Sequence, residues 1–150
     1  MLKLAGIVFY FRNVDKATLR KLFLEKRQNL TRSQYWMLTD ELMEQVKLFN
    51  WLHFSMVHVF MPIRKHNEVD TFSILNYFKH AVPELKIVIP RTNFEKLEME
   101  NVLFDHEYTI LGRNKFDIPE PIHGKVIPAD QIDLVFVPLL AFDKQGNRAG

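Results

Sequence analysis

Apolar residues along this 150-residue chain recur at two different periods, and the switches between them mark out its elements. From Asp15 to Asn29, Leu19, Leu22, Phe23 and Leu30 stand three, four and seven apart with Lys, Arg and Glu between them. That spacing predicts a helix with one buried stripe. A second helix is predicted from about Arg32 to Leu48, with Trp36, Leu38, Leu42, Met43 and Val46 as its apolar face. Thr31 and Gln34 at its start have the capping-box spacing, in which each side chain serves the other residue's backbone N–H. Met56–Met61 is a run of strand length ended by Pro62, and Asp70 is placed to cap a third helix through about Ala81. Phe72, Leu75, Tyr77 and Phe78 line or flank that helix's inner face.

The second half reads as strands. Leu85–Ile89 is closed by Pro90, Leu97–Phe104 alternates, and Tyr108–Leu111 adds a short piece. Phe116–Asp130 holds three prolines and reads as a loop, and Asp133–Val137 is a last strand. Strands alternating with helices predict an α/β protein with an open, largely parallel sheet flanked by helices. No internal repeat, low-complexity stretch or domain boundary stands out, so one domain is expected over residues 1–150.

Composition narrows the function classes. With no cysteine, the chain has no disulfide framework, thiolate metal site or cysteine nucleophile. A net charge of +2 is too small to argue for nucleic acid. The apolar start of the chain, about eight residues, is short of the roughly 20 that span a membrane and lacks a signal-peptide cleavage pattern. The expectation is a cytoplasmic protein with no membrane or nucleic-acid partner. The six histidines show no metal spacing, and Walker A, G-x-G-x-x-G and G-x-S-x-G patterns are absent.

The chemistry-bearing candidates are mostly charged residues beside predicted element ends. Lys16 and Arg20 stand four apart, on one face of the first helix, where two cations can hold phosphate; spacing alone favours a solvated surface. Glu68 follows a strand and a loop, placed to accept hydrogen bonds from a polar ligand. Asp70 reads as a cap. Arg91 follows Pro90 at a strand end, with a carboxylate or phosphate partner and a plain surface position equally open. Phe116-Asp-Ile-Pro-Glu-Pro121 is a rigid two-proline loop whose aromatic is either core or a stacking surface. At the far end, the strand Leu134–Val137 runs into Asp143-Lys-Gln-Gly146-Asn-Arg148, a loop of the kind that binds ligands beyond the carboxyl end of a strand. Gly146 permits a tight turn, with Asp143 holding it and Arg148 directed outward.

These segments, in this order, resemble the 5-formyltetrahydrofolate cyclo-ligases, also called methenyltetrahydrofolate synthetases. The resemblance runs from about Asp15 to Gly150, with residues 1–14 outside it. It rests on "K-x-x-L-R" at Lys16–Arg20, the acidic Glu68 before a helix, "P-K/R" at Pro90-Arg91, "aromatic-x-I-x-E/Q-P" at Phe116–Pro121, and "D-x-x-G-x-R-x-G" at Asp143–Gly150. It implies a fold of the type found in sugar-phosphate isomerases and CoA transferases. The implied reaction is ATP-dependent cyclisation of 5-formyltetrahydrofolate to 5,10-methenyltetrahydrofolate, releasing ADP and phosphate through a phosphorylated formyl group, with Mg²⁺. It further implies that Lys16, Ala17, Thr18, Leu19, Arg20, Arg148, Ala149 and Gly150 contact ATP, Arg148 also serving catalysis, and that Met61, Glu68 and Phe116 contact the folate. In that family a Gly- and Tyr-rich phosphate loop ending in an acidic metal ligand follows. This chain is therefore expected to be a C-terminally truncated monomer, inactive or severely impaired. The alternatives are a non-catalytic relative, a pseudoenzyme or an RNA-binding module, for which the basic pI of about 8.8 is the relevant feature, and another enzyme of the same fold acting on sugar phosphates or CoA.

Overall fold

The computed structural model describes residues 15–143 and 146–149. Two compact units emerge from its contacts: the described residues up to Leu48 with Lys65–Glu68 and the chain from Pro138 on, and a second unit of Phe49–Arg64 with Val69–Val137.

The first unit is helical. Helix α1 (Lys16–Gln28) starts where Asp15 accepts from the Ala17 and Thr18 N–H groups at 2.9 and 3.0 Å and from the Thr18 hydroxyl at 2.6 Å. These donors hold the Asp15 carboxyl below the usual carboxylate range, the Thr18 hydroxyl contributing most. Helix α2 (Arg32–Leu48) opens with the predicted capping box: Thr31 N–H donates to Gln34 Oε1 at 2.9 Å, and Gln34 N–H to Thr31 Oγ1 at 3.2 Å. At the other end of the unit a short hairpin, to which α1 packs, closes the described chain.

The second unit holds the sheet. Strand β1 (Met56–His58) is followed by helix α3 (Thr71–Ala81), then β2 (Lys86–Asn93), β3 (Glu98–Phe104), β4 (Leu111–Arg113), β5 (Pro119–Pro121), β6 (Val126–Ile127) and β7 (Leu134–Val135). Five of them form one mixed sheet, ordered β6-β3-β2-β1-β7, with β1 parallel to both β2 and β7 and with β3 antiparallel to both its neighbours, β2 and β6. Strands β4 and β5 pair as a separate antiparallel ribbon. The class is α/β, as the pattern of elements predicts.

Burial follows from this order. β1 has a parallel neighbour on each side and is buried along its whole length, as parallel strands generally are. Val57, Val59, Val88, Ile89 and Val102 are fully buried. Helix α3 turns Thr71, Ile74, Leu75 and Phe78 inward, at spacings of three and four. The Phe78 ring meets Trp51 edge-on at 4.7 Å, and Phe136, just past β7, stacks on Trp51 at 6.0 Å.

Several expected boundaries move, each for a local reason. The β1 strand ends at His58 although Val59 N–H still reaches Val88 O at 2.9 Å; Phe60 O is then taken by the Thr71 hydroxyl at 2.7 Å. Pro90 does not end β2, which runs on to Asn93. Val88 faces β1, so Pro90, two residues on, turns its missing N–H toward that same side, beyond the end of β1 at His58. Tyr108 and Thr109 are used in a turn in which Asp105 Oδ1 accepts from Glu107 and Tyr108 N–H at 2.7 and 3.0 Å, so β4 starts only at Leu111. The region 116–130, expected as loop, contains β5 and β6. Asp70 occupies the N-cap position of α3 but makes no capping bond to a backbone N–H; its carboxylate takes the Ser73 hydroxyl at 2.8 Å.

Candidate functional site

In the first unit, the ATP candidates occupy two adjoining elements. Lys16, Ala17, Thr18 and Arg20 are exposed in the first turns of α1 and Leu19 is half-buried. Helix α1 packs against the hairpin of β8 (Ala141–Phe142) and β9 (Arg148–Ala149), which pair with Phe142 opposite Arg148. Gly146 takes φ 84°, in the left-handed region that glycine enters without strain. Asp143 holds the turn, its two carboxylate oxygens accepting from Asn147 N–H and Asn147 Nδ2 at 2.8 Å each. Arg148 is exposed while the next residue, Ala149, is buried. Gly150, also expected at ATP, lies outside the described residues, as do Lys144 and Gln145.

Among the described residues, Lys16, Arg20 and Arg148 have no carboxylate partner. These three cations thus carry no counter-charge among the described residues, a donor set that suits a polyphosphate, and exposed Lys21 and Arg32 of the same unit share that property. No group of three His, Asp or Glu side chains is placed to hold a metal among the described residues.

Glu68 belongs to the same unit and is firmly placed. Its carbonyl accepts from the Tyr35 hydroxyl at 3.0 Å, and its carboxylate stands 3.6 Å from Arg27 Nη2. The preceding Asn67 adopts φ 50° and donates from Nδ2 to Arg27 O at 3.1 Å, covering a carbonyl at the C-terminal end of α1. Both helices therefore fix the backbone that carries Glu68.

The second unit carries the remaining candidates. Met61 is buried, 3% exposed, which makes it a wall residue rather than a surface contact. Phe116 is 60% exposed. Its ring centroid lies 6.0 Å from that of Phe94, and the Lys115 ammonium sits 4.1 Å over the Phe94 ring and 5.3 Å over Phe116. Arg91 finds its carboxylate within the chain: Nε and Nη2 both donate to Glu100 Oε2, at 2.9 and 2.7 Å. This fork, foremost, and the Asn93 amide at 3.1 Å hold the Glu100 carboxyl below its usual range. Arg91, Thr92, Asn93, Phe94, Glu95 and Glu100 line an open cleft of about 400 Å³.

Sequence reasoning missed one feature here: Glu120 is buried and ties β5 to Thr92 on β2, a pairing across 28 residues with no local signal. His58, whose strand position favours a structural role over metal binding, is buried within β1 with Nδ1 lacking a partner, and desolvation lowers its pKa.

The architecture so described is an α/β fold with exposed cations that have no carboxylate partner among the described residues on one unit, and an open cleft lined by Phe94 and polar side chains on the other. Residues 12–150 match the 5-formyltetrahydrofolate cyclo-ligase family, to which the chain belongs. It is 30% identical over 142 residues to a 5-formyltetrahydrofolate cyclo-ligase of Mus musculus, covering 90% of this chain and 64% of the mouse protein. Over a shorter stretch of 44 residues, 28% of this chain and 24% of the relative, it is 46% identical to a cyclo-ligase of Haemophilus influenzae. Its fold matches the NMR structure of a 5,10-methenyltetrahydrofolate synthetase from Aquifex aeolicus with a TM-score of 0.75 and 27% identity, over 90% of this chain and 66% of that one. A synthetase from Mycoplasma pneumoniae shares the fold, with a TM-score of 0.63 and 23% identity over 91% of this chain and 71% of that one. The chain thus spans less than two thirds of the length of the curated relatives it matches. No helix among the described residues is long and apolar enough to cross a membrane.

Proposed function

We propose that this chain carries out, or forms the larger part of a protein that carries out, the ATP-dependent cyclisation of 5-formyltetrahydrofolate to 5,10-methenyltetrahydrofolate, with release of ADP and phosphate. One observation supports it most: Lys16 and Arg20 on α1 and Arg148 on the hairpin packed against it are exposed cations with no carboxylate partner among the described residues. Ion-paired cations would have to give up a carboxylate before holding a phosphate; these need not.

Phosphoryl transfer asks a protein chiefly for positioning and for neutralisation of charge on phosphate oxygens. On this reading Lys16 supplies a point charge, and Arg20 and Arg148 planar forks. The backbone of Ala17, Thr18, Leu19 and Ala149 frames the same ligand, and Gly150, outside the described residues, is assigned to it by sequence alone. Arg148 carries the catalytic share, its charge set against that developing on the transferred group. Mg²⁺ bound together with ATP would supply further neutralisation of phosphate charge. The formyl oxygen attacks the terminal phosphorus and ADP leaves; the folate's second nitrogen then attacks the formyl carbon and phosphate leaves. Glu68, Met61 and Phe116 are assigned to the folate, Glu68 as acceptor for its N–H groups and the other two as apolar surface. The reading needs no membrane, nucleic acid or second subunit, and it places the protein in the cytoplasm as a monomer.

The test is calorimetric titration with ATP and with 5-formyltetrahydrofolate, followed by an absorbance assay for the methenyl product. ATP-dependent appearance of product supports the reading in full. Binding of neither ligand overturns it, and salt-sensitive RNA binding in their place would favour a non-catalytic role.

A further inference from the structure

Among the described residues Glu120 is the one carboxylate residue that is buried, 9% exposed, and no cation pairs with it. Its contacts are concentrated on one atom. Oε1 accepts from Thr92 N–H at 3.1 Å, from the Thr92 hydroxyl at 2.6 Å and from Asn114 Nδ2 at 2.8 Å. Asn114 then uses the other end of its amide: Oδ1 accepts from Phe116 N–H at 2.8 Å and Ile118 N–H at 3.1 Å. A continuous line of hydrogen bonds therefore runs from β2, through a buried carboxylate and an amide, to the backbone of Phe116.

The turn at the end of that line is held from its other side too. Asn114 N–H donates to Ile118 O at 3.0 Å, and Asp117 N–H to Asn114 O at 2.9 Å. Asp117 sits at φ 66°, a left-handed conformation that costs a non-glycine residue free energy. Arg113 Nη1 donates to Asp117 Oδ1 and O at 2.9 and 3.2 Å. What this bonding holds in place is the backbone of an exposed aromatic ring that lies beside Phe94, a residue lining the cleft. Burying an unpaired carboxylate and bending a non-glycine residue into the left-handed region are both unfavourable. Neither is needed to keep a phenyl ring in solvent.

We propose that Glu120 and Asn114 are positioning residues, a relay anchored on Thr92 that fixes the Phe116 ring for the flat ring system of the substrate. This rests on the reading of Phe116 as a folate contact. Because a single oxygen receives all three donors, an amide can replace the acid: a glutamine at 120 keeps the acceptor and loses only the charge.

The relay is tested by titrating the 150-residue protein and four variants with 5-formyltetrahydrofolate and, separately, ATP. The variants are Phe116→Ala, Asn114→Ala, Glu120→Gln and Glu120→Leu. Amide hydrogen exchange at Phe116 and Ile118 is followed in each. Asn114→Ala and Glu120→Leu are expected to weaken folate binding by about tenfold through lost preorganisation, leave ATP binding unchanged, and speed exchange at both amides but not at Val102. Glu120→Gln should behave as the parent in all three. If Phe116→Ala binds folate normally, or the parent binds none, the reading of Phe116 is wrong and the relay's role falls with it. If Phe116→Ala weakens binding while Asn114→Ala does not, the relay alone is overturned. A Glu120→Gln variant as impaired as Asn114→Ala also overturns it. Should Glu120→Leu fail to fold, Asn114→Ala and Glu120→Gln still decide the matter.

Discussion

Arg27 Nη2 stands 3.6 Å from Glu68 Oε1, with the two side chains 22% and 18% exposed, and Arg27 Nε is buried without a hydrogen-bond partner. The pair is thus ionic rather than a two-bond fork, and it joins the last turn of α1 to the segment that carries a candidate substrate acceptor. A partly desolvated pair loses more on truncation than a surface pair, because the remaining charge is left in a poorer environment. Arg27→Met is expected to lower the unfolding free energy by about 1–2 kcal/mol, between the exposed and buried limits for such pairs. Glu44→Gln, which breaks the Lys47 pair at 49% and 64% exposure, should cost at most about 0.5 kcal/mol. Denaturant midpoints measured side by side check the order; equal losses would mean that Arg27 is as well solvated as Lys47.

Asp133 gives a pH dependence with a definite sign. Its Oδ2 accepts from Ser55 and Met56 N–H at 2.7 and 2.9 Å, and those donors, Ser55 first, hold the carboxyl below the usual carboxylate range. The folded chain therefore takes up this proton less readily than the unfolded chain. The associated stability is fully present above the unfolded value of about 3.9 and is lost as pH falls through the lower folded value. The stability advantage of the parent over Asp133→Asn is expected to shrink steadily from about pH 5 downward. An advantage that stays constant on acidification would show that the bonds to β1 do not depend on the carboxylate charge.

Much of this is legible in the sequence itself. The helices α1 and α2 follow from apolar spacing and from caps only a few residues long, and Thr31 with Gln34 closes as its spacing says. Gly146 and Asp143 likewise form the turn that their types predict. Local signals fail where distant chain decides. Whether Pro90 ends a strand depends on where β1 stops, and β6 exists because Val126 and Ile127 find β3. The burial of Glu120 depends on Thr92. Met61 illustrates the same limit at the site, since its type gives an apolar contact but not its near-complete burial.

Gly124 and Gly146 both have positive φ, yet their surroundings differ. A Cβ on Gly124, at φ 146°, would lie 2.6 Å from Val102 Cγ1, and Val102 is fully buried. On Gly146, at φ 84°, it would meet nothing within 4 Å. Gly124→Ala should therefore add overpacking to backbone strain and destabilise by about 2–4 kcal/mol. Gly146→Ala carries strain alone, about 1 kcal/mol. Thermal melts of the two variants check this, and a Gly124→Ala protein as stable as the parent would mean that β3 shifts to make room.

The basic cluster should behave as a ligand site that the fold itself does not need. Lys16, Arg20 and Arg148 are exposed and, among the described residues, bond to no carboxylate, so replacing each with alanine should change stability by no more than about 0.5 kcal/mol. ATP affinity is the quantity expected to move. Arg148→Ala should weaken it by about tenfold, the scale of one charge-assisted contact to phosphate. Arg148→Lys should recover only part of the loss, since an ammonium restores the charge but not the planar fork. Lys16→Ala, removing a point charge, should cost less than Arg148→Ala and lose most of its effect at high salt, where exposed charges are screened. Calorimetry with ATP at low and high salt, run beside melting curves, separates these outcomes. Variants that melt normally and bind ATP as the parent does would remove the cluster from the nucleotide site.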